Sequence, residues 1–118
     1  MIMSGAEVRV LVATRPVDFR RQANGLAALV QEALHEDAYS SAIFVFRSKR
    51  ATNRVKLLWW DGTGICLLTK RLENGQFCWP AIADGTMPLT RAQLSLLLEG
   101  LEWRHMRPRE IVRPSATQ

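Results

Sequence analysis

Runs of apolar residues divide the chain into short predicted strands. Apolar, β-branched and aromatic residues at 8–13, 43–46, 55–60 and 65–72 have the length and composition of β-strands. A shorter run at 77–79 is a candidate for a further strand. Polar segments separate these runs, so the middle of the chain is expected to consist mainly of strands and turns.

Two turn signals connect the middle runs. Asp-Gly at 61–62 and Asn-Gly at 74–75 each follow an apolar run, and glycine supplies the positive φ that tight hairpins need. The stretch 42–80 is therefore predicted to fold as an antiparallel meander. Pro88 lies in a last short run at 86–89, which predicts an edge strand because proline cannot donate to an interior ladder.

Two amphipathic helices are predicted from apolar residues that recur every three or four positions. The first covers 25–36 and follows a short helical turn at 18–23, with Asp18 as the N-cap. The second covers 91–101 and begins after Thr90, whose hydroxyl is a suitable N-cap. Each helix carries a single apolar stripe, so each is expected to cover a layer of strands.

Together these elements predict one α+β domain, an antiparallel β-meander of about four or five strands with two main helices packed on one face. The domain is expected to cover residues 7–104, with a flexible start at 1–6 and a basic extended tail at 105–118. A chain of 118 residues with 47% hydrophobic residues can bury an ordinary core without disulfides.

The composition indicates a basic protein. Sixteen Lys and Arg residues oppose eleven Asp and Glu residues, which gives a net charge of +5. Such a chain is attracted to phosphate backbones, and salt weakens the attraction. We find no export signal and no apolar run near the ~20 residues of a membrane helix. We therefore expect a cytoplasmic protein with no membrane contact and with reduced cysteines at 66 and 78.

The densest charge cluster is the loop at 47–54, which contains four cations and no acid. With the neighbouring strands it supplies the predicted nucleic-acid-binding residues: Arg47, Lys49, Arg50, Arg54, Lys56, Lys70 and Arg71. The alternative is a solvated strand face and a solubilising hairpin tip. Arg20 and Arg21 beside Asp18 form either a local ion pair or a small phosphate-contacting corner.

Three tryptophans of the stretch 42–80 are candidates for a stacking or partner surface: Trp59, Trp60 and Trp79. Alternate residues of a strand point to opposite faces. Trp60 is therefore expected beside Lys56 on a cationic face, whereas Trp59 is expected on the core face. Cations beside an aromatic ring suit a nucleic-acid backbone, and exposed aromatic residues also anchor protein interfaces.

The sequence contains no recognisable catalytic or metal-binding motif. The Asp-Gly-Thr-Gly segment at 61–64 lacks the Lys-Ser/Thr of a P-loop, and no nucleophile elbow occurs. The two cysteines and two histidines do not have zinc-finger spacing. We therefore expect a protein that is not an enzyme and that needs no cofactor or metal.

Several segments resemble one known family in order and spacing. They are VRVLVATRPVDFRR, NGLAALVQEAL, KLLWWDGTG, KRLENGQFCWP and TRAQLSLLLEGLEW. The chain resembles, over residues 7–104, the TnpB-type accessory proteins of the insertion-sequence-66 (IS66) family of bacterial transposable elements. The corner at 20–26 departs from the family pattern by lacking a glycine and a carboxylate, so no role is transferred to it.

The resemblance implies a non-catalytic accessory of DNA transposition, because a separate transposase carries the catalytic residues in such elements. Two kinds of partner follow from this context. In the first, the basic surface contacts DNA, with the element ends as the expected site. In the second, the tryptophan-rich surface docks the transposase of the same element without binding DNA itself. The resemblance does not establish the accessory protein's biochemical action.

Overall fold

The computed structural model describes residues 8–105, which form one sheet and two helices. The elements are β1 (Val10–Val17), α1 (Ala23–Glu32), β2 (Ile43–Ser48), β3 (Arg54–Trp60), β4 (Ile65–Arg71), β5 (Thr86–Leu89) and α2 (Arg91–Leu98). The predicted α+β class is confirmed, with a five-stranded sheet. The predicted start at 1–6 and all of the predicted tail at 105–118 except residue 105 lie outside the described residues.

The strands are arranged in the order β4-β3-β2-β1-β5. The antiparallel meander is confirmed for β2, β3 and β4. The pairing of β1 with β2 differs from the prediction, because these two strands run parallel. Helix α1 lies between them in the chain and returns it to the same end of the sheet, which is the crossover that a parallel pair requires.

The two helices cover opposite faces of the sheet, not the single face that was predicted for both. Strand β2 shows the reason, since its side chains alternate between two cores. Ile43 and Val45 pack in the cluster on the α2 side, whereas Phe44 and Phe46 pack in the cluster on the α1 side. A strand that is apolar on both faces needs a cover on each of them.

The chain between β4 and β5 covers the α2 face and adds no strand. The segment 77–79, a candidate strand by sequence, has no strand pairing. Its Phe77 and Trp79 are buried in the same cluster as Trp103. The indole N–H of Trp103 donates to the carbonyl of Cys78 at 2.7 Å. Aromatic burial against the sheet therefore replaces strand pairing in this segment.

The last strand forms where the sequence predicts it, and α2 begins at the predicted residue but ends at Leu98, before the predicted end at 101. β5 is a short edge strand that contains Pro88. At the start of α2, the hydroxyl of Thr90 accepts from the amide of Gln93, and the Gln93 side chain accepts from the amide of Thr90, at 3.0 and 2.9 Å. This reciprocal pair is a capping box. Gly100 follows the helix with a φ of 76°, which only glycine adopts without strain.

The chain before α1 is a turn, not the short helix predicted at 18–23. Gln22, not Asp18, occupies the N-cap position of α1. The carboxylate of Asp18 accepts from the amide of Arg20 at 2.9 Å, and such local bonds favour turns over helices. As a result, the segment between β1 and α1 is an irregular turn.

Lys56 fastens this turn to the sheet. It lies on β3 and is only 4% exposed, and its Nζ donates to the carbonyls of Phe19 and Arg21 at 2.8 and 2.9 Å. Its ammonium also lies 5.1 Å from the centre of the Phe19 ring. Burial lowers the pKa of Lys56. Two carbonyl acceptors and an aromatic ring offset the cost of burying the charge.

We predict that Lys56→Met lowers the free energy of unfolding by about 2–4 kcal/mol, because two carbonyls lose their donor. Methionine retains most of the apolar side chain. Lys70→Met is the matched control, since the Nζ of Lys70 bonds one carbonyl, that of Leu98, and its loss should cost about 1 kcal/mol or less. Urea unfolding followed by tryptophan fluorescence measures both changes. Equal losses would contradict the fastening role of Lys56.

Candidate nucleic-acid interface

The predicted cations divide into two groups according to what their side chains contact. One group is bonded within the domain and comprises Arg47, Lys56 and Lys70. The other group is exposed and comprises Lys49, Arg50, Arg54 and Arg71. Among residues 8–105, no acidic side chain forms an ion pair with Lys49, Arg50 or Arg54. These three cations therefore remain available to an anion.

Arg47 is partly buried on the α2 face and supports the fold. Its Nη1 donates to the carbonyl of Pro80 at 2.8 Å and to that of Thr14 at 3.4 Å. The guanidinium carbon lies 5.4 Å from the centre of the Trp79 ring, within the range of a cation–π contact. Burial lowers the pKa of Arg47. These contacts hold the segment around Pro80 on the sheet, in place of the predicted phosphate contact.

Lys70 also has a structural partner. Its Nζ donates to the carbonyl of Leu98, the last residue of α2, at 2.6 Å. A cation at this position complements the negative end of the helix dipole. Lys56 is buried beneath the turn before α1, so the expected cationic face around Trp60 does not form at that position. Arg47, Lys56 and Lys70 are thus committed to the fold.

The remaining loop cations line a groove of about 730 Å³ at one end of the sheet. Its charged lining residues are Asp18, Arg20, Lys49, Arg50 and Arg54. Four of these are cations and one is an acid. The groove consequently carries an excess of positive charge, which concentrates anions near it.

The parallel pairing of β1 and β2 creates this groove. Both strands end on the same side of the sheet, with Val17 opposite Ser48. The amide of Lys49 donates to the carbonyl of Val17 at 2.9 Å. The hydroxyl of Ser48 accepts from the amides of Arg50 and Ala51 at 3.1 and 3.2 Å. The loop after β2 is therefore a hydrogen-bonded turn that holds its cations beside the end of β1.

An ion pair brings Arg20 into the groove, although the predicted binding set did not include this residue. Nη2 of Arg20 lies 2.6 Å from Oδ2 of Asp18, so the predicted local ion pair is present. The hydrogen bonds from Arg20 hold the pKa of Asp18 below its usual range. The Arg20 side chain is still 90% exposed. The sequence shows the adjacent cations Arg20 and Arg21. It does not show that Arg20 lies near the loop at 47–54, because that depends on the parallel pairing of β1 and β2.

Arg71 extends the basic surface onto the neighbouring strand. It lies directly opposite Arg54 in the register of β3 and β4. Its Nη2 is 3.4 Å from Oε1 of Glu73, and both side chains are largely exposed. Such an exposed pair contributes little to stability. Arg71 therefore extends the basic surface from Arg54 on β3 to β4.

The predicted tryptophan surface is mostly buried. Trp59 and Trp79 are 8% and 6% exposed, and within residues 8–105 their indole N–H groups have no hydrogen-bond partner. Trp60 is partly exposed and packs edge to face against Tyr39, with ring centres 5.4 Å apart. The length of β3 separates Trp60 from Arg54 by roughly 20 Å at ~3.4 Å per residue. Trp60 is thus remote from the groove.

Residues 8–105 contain neither a metal site nor a membrane-spanning helix. In this part of the chain, no three His, Cys, Asp or Glu side chains converge in a way that could hold a metal ion. No helix in the same range is long and apolar enough to cross a lipid bilayer.

Comparison with known proteins identifies the family. The sequence model described as IS66 Orf2 like protein matches residues 8–108. The uncharacterised proteins y4jC and y4hO of Sinorhizobium fredii are 45% and 44% identical to this chain over 115 residues, which cover 98% of this chain and 97% of each relative. No solved structure matches the chain. By the match of the family model and the similarity over nearly its full length, the chain belongs to the IS66 Orf2-like family.

Proposed function

We propose that this IS66 Orf2-like protein is a non-catalytic accessory of DNA transposition that binds the DNA backbone through the basic groove. The observation that supports the proposal is a set of solvent-facing cations around the ends of β1 and β2: Arg20, Lys49, Arg50, Arg54 and Arg71. The family is associated with transposition, which gives a phosphate-binding surface a use.

The unpaired cations are suited to phosphates for a physical reason. Lys49, Arg50 and Arg54 have no acidic partner among residues 8–105, so no internal ion pair must break when they contact DNA. Each phosphate that they neutralise releases condensed counterions, and this release supplies most of the affinity of non-specific binding. The guanidinium groups can also bind two phosphate oxygens at once.

The shape of the groove favours contact with the backbone over reading of bases. Strand ends and turns form its walls, whereas base edges are usually read by a helix or a β-ribbon inside the major groove. Phosphate contacts orient a protein on the duplex but carry no sequence information. We therefore expect the groove to bind DNA with a steep salt dependence and with little sequence preference of its own.

The small number of carboxylates in the groove supports the proposal of an accessory protein over that of a nuclease. The groove contains one acid, Asp18, and its carboxylate is bonded to Arg20. Metal-assisted cleavage of a phosphodiester commonly uses two ions ~4 Å apart, and these need several converging carboxylates. Within residues 8–105 no such group of ligands converges.

An exposed aromatic pair supports a second candidate function, docking of the transposase. Tyr39 is 53% exposed and packs against Trp60. Aromatic residues are enriched at the centres of protein interfaces. Trp60 ends β3, and Arg54 begins it. A protein at this pair and DNA at the groove would therefore occupy different ends of the same strand.

The double variant Lys49→Ala/Arg50→Ala should weaken duplex binding by about tenfold or more, because two phosphate contacts are lost. Fluorescence anisotropy with a duplex from the element end and with a scrambled duplex, over a range of salt concentrations, measures the change. The plot of log affinity against log salt concentration should become shallower by about 2, since each phosphate contact contributes ~0.9 to its slope.

The matched control is Arg9→Ala/Arg91→Ala, which removes the same charge at residues that do not line the groove. This control should leave the salt slope unchanged. If both double variants weaken binding equally, net charge and not the groove drives the association. If the unaltered protein binds neither duplex at low salt, the proposal fails and docking of the transposase becomes the function to test.

The variant Asp18→Asn should tighten DNA binding by roughly threefold at low salt, because it removes the only negative charge among the residues that line the groove. The asparagine oxygen can still accept from the amide of Arg20, so the turn before α1 should persist. The same titration measures the effect. A weaker affinity would contradict the expectation and would mean that the ion pair positions Arg20 for phosphate.

A further inference from the structure

The two edges of the sheet differ in how well they are protected against pairing with another strand. β5 forms one edge with only four residues and contains Pro88. β4 forms the other edge with seven residues, none of them proline, and its pairing with β3 shows no register shift. Within residues 8–105 no strand pairs with the outer side of β4. A regular edge of this length is a template for another strand.

The hydrogen bonds at the two ends of β4 reveal which of its residues face outward. The amide of Asp61 donates to the carbonyl of Gly64, and the amide of Leu72 donates to the carbonyl of Asn53. Residues 64 and 72 therefore bond toward β3. Because bonded and non-bonded pairs alternate along an antiparallel ladder, the backbone groups of four residues of β4 point outward: Ile65, Leu67, Thr69 and Arg71.

The side chains along this edge are apolar at the centre of the strand. Leu68 is 41% exposed, and its neighbours Cys66 and Leu67 are partly exposed. Edge strands usually carry a charge or a proline where pairing must be prevented. The charges of β4 lie instead at one end, where Lys70 is bonded to α2 and Arg71 contacts Glu73. The centre of the edge is left unprotected.

We propose that β4 pairs antiparallel with β4 of a second copy of this chain, about a two-fold axis at Leu68, and thereby joins the two sheets into one. In this register Leu67 lies opposite Thr69 of the copy, and Ile65 lies opposite Arg71. All four are residues whose backbone groups face outward, so each pair exchanges two hydrogen bonds. The two Leu68 side chains meet on the same face, as a non-bonded pair whose Cβ atoms lie ~5 Å apart.

Charge disfavours one alternative register, in which the two-fold axis lies at Lys70. The cationic end of β4 carries Lys70 and Arg71, and the opposite end adjoins Asp61, whose Oδ2 lies 3.4 Å from Sγ of Cys66. A two-fold axis at Leu68 sets Lys70 of one copy opposite Cys66 of the other, so that the two lysines lie apart. An axis at Lys70 would instead set two lysines against each other, and like charges directly opposite are destabilising.

The interface has the size of a weak complex. One pair of seven-residue strands with a small apolar contact on each face buries less than the ~1,200 Å² typical of stable complexes. We therefore expect a monomer–dimer equilibrium. Of the cations proposed to contact DNA, Arg71 belongs to β4, whereas Lys49 and Arg50 lie outside it. The association is therefore tested without DNA.

Sedimentation velocity of the full chain, from about 1 to about 300 µM to suit a weak interface, should show a concentration-dependent shift from monomer to dimer. Thr69→Pro removes one outward amide donor and leaves the bonds to β3 in place, so it should weaken dimerisation by at least about tenfold. Thr69→Ala is the matched control and should dimerise as the unaltered chain does. Circular dichroism checks that each variant is folded.

A pair of charge variants tests the axis itself. Leu68→Lys alone and Leu68→Glu alone should be monomeric, because each places like charges opposite each other, and an equimolar mixture should form a dimer. Residue 68 meets its own copy only in the proposed register. A chain that stays monomeric at the highest concentration overturns the proposal. So does a dimer that persists in both single charge variants, or a mixture that fails to associate.

Discussion

The architecture depends on a central strand that is apolar on both faces. β2 lies in the middle of the sheet, and Ile43 and Val45 enter one core while Phe44 and Phe46 enter the other. Neither face can be left in water, because burial of apolar area is the main favourable term in folding. Helix α1 covers one face, and α2 with the aromatic segment after β4 covers the other. The crossover through α1 also makes β1 and β2 parallel, and this brings their ends together at the groove.

The cationic side chains of this domain, arginine and lysine, have two different roles. Arg47, Lys56 and Lys70 donate to backbone carbonyls within the domain, so they contribute to stability as donors more than as charges. Lys49 and Arg50 differ in having backbone bonds that fix the turn, while their side chains form no ion pair with any acid among residues 8–105. Basic composition alone does not distinguish these uses, because the carbonyls that capture a cation come from distant parts of the chain.

Local signals predicted much of the fold and less of the site. The meander and the cap at Thr90 follow from alternation, turn residues and a capping hydroxyl, all of which act over a few residues. The parallel pairing of β1 with β2 is a non-local contact that no short pattern reports. Lys56 is an example of a residue whose surroundings a short pattern does not report. The alternation of side chains along β3 correctly predicts that it lies on the face opposite Val55. It does not predict that the turn containing Phe19 and Arg21 covers that face. The same limit applies to Arg20, for which the sequence left an ion pair and a phosphate-contacting corner as alternatives, since only the tertiary fold brings it to the loop at 47–54.

The opposition of Arg54 and Arg71 has a thermodynamic consequence. Two arginines directly opposite each other on adjacent strands are like charges that destabilise the pairing, and Glu73 offsets this for only one of them. The open end of the hairpin of β3 and β4 is therefore less stable than its apolar middle. An anion bound between the two arginines would remove the repulsion and would bind the folded chain better than the unfolded one. Anion binding and folding of this hairpin are thus linked, so a polyanion that bound there would also stabilise the domain.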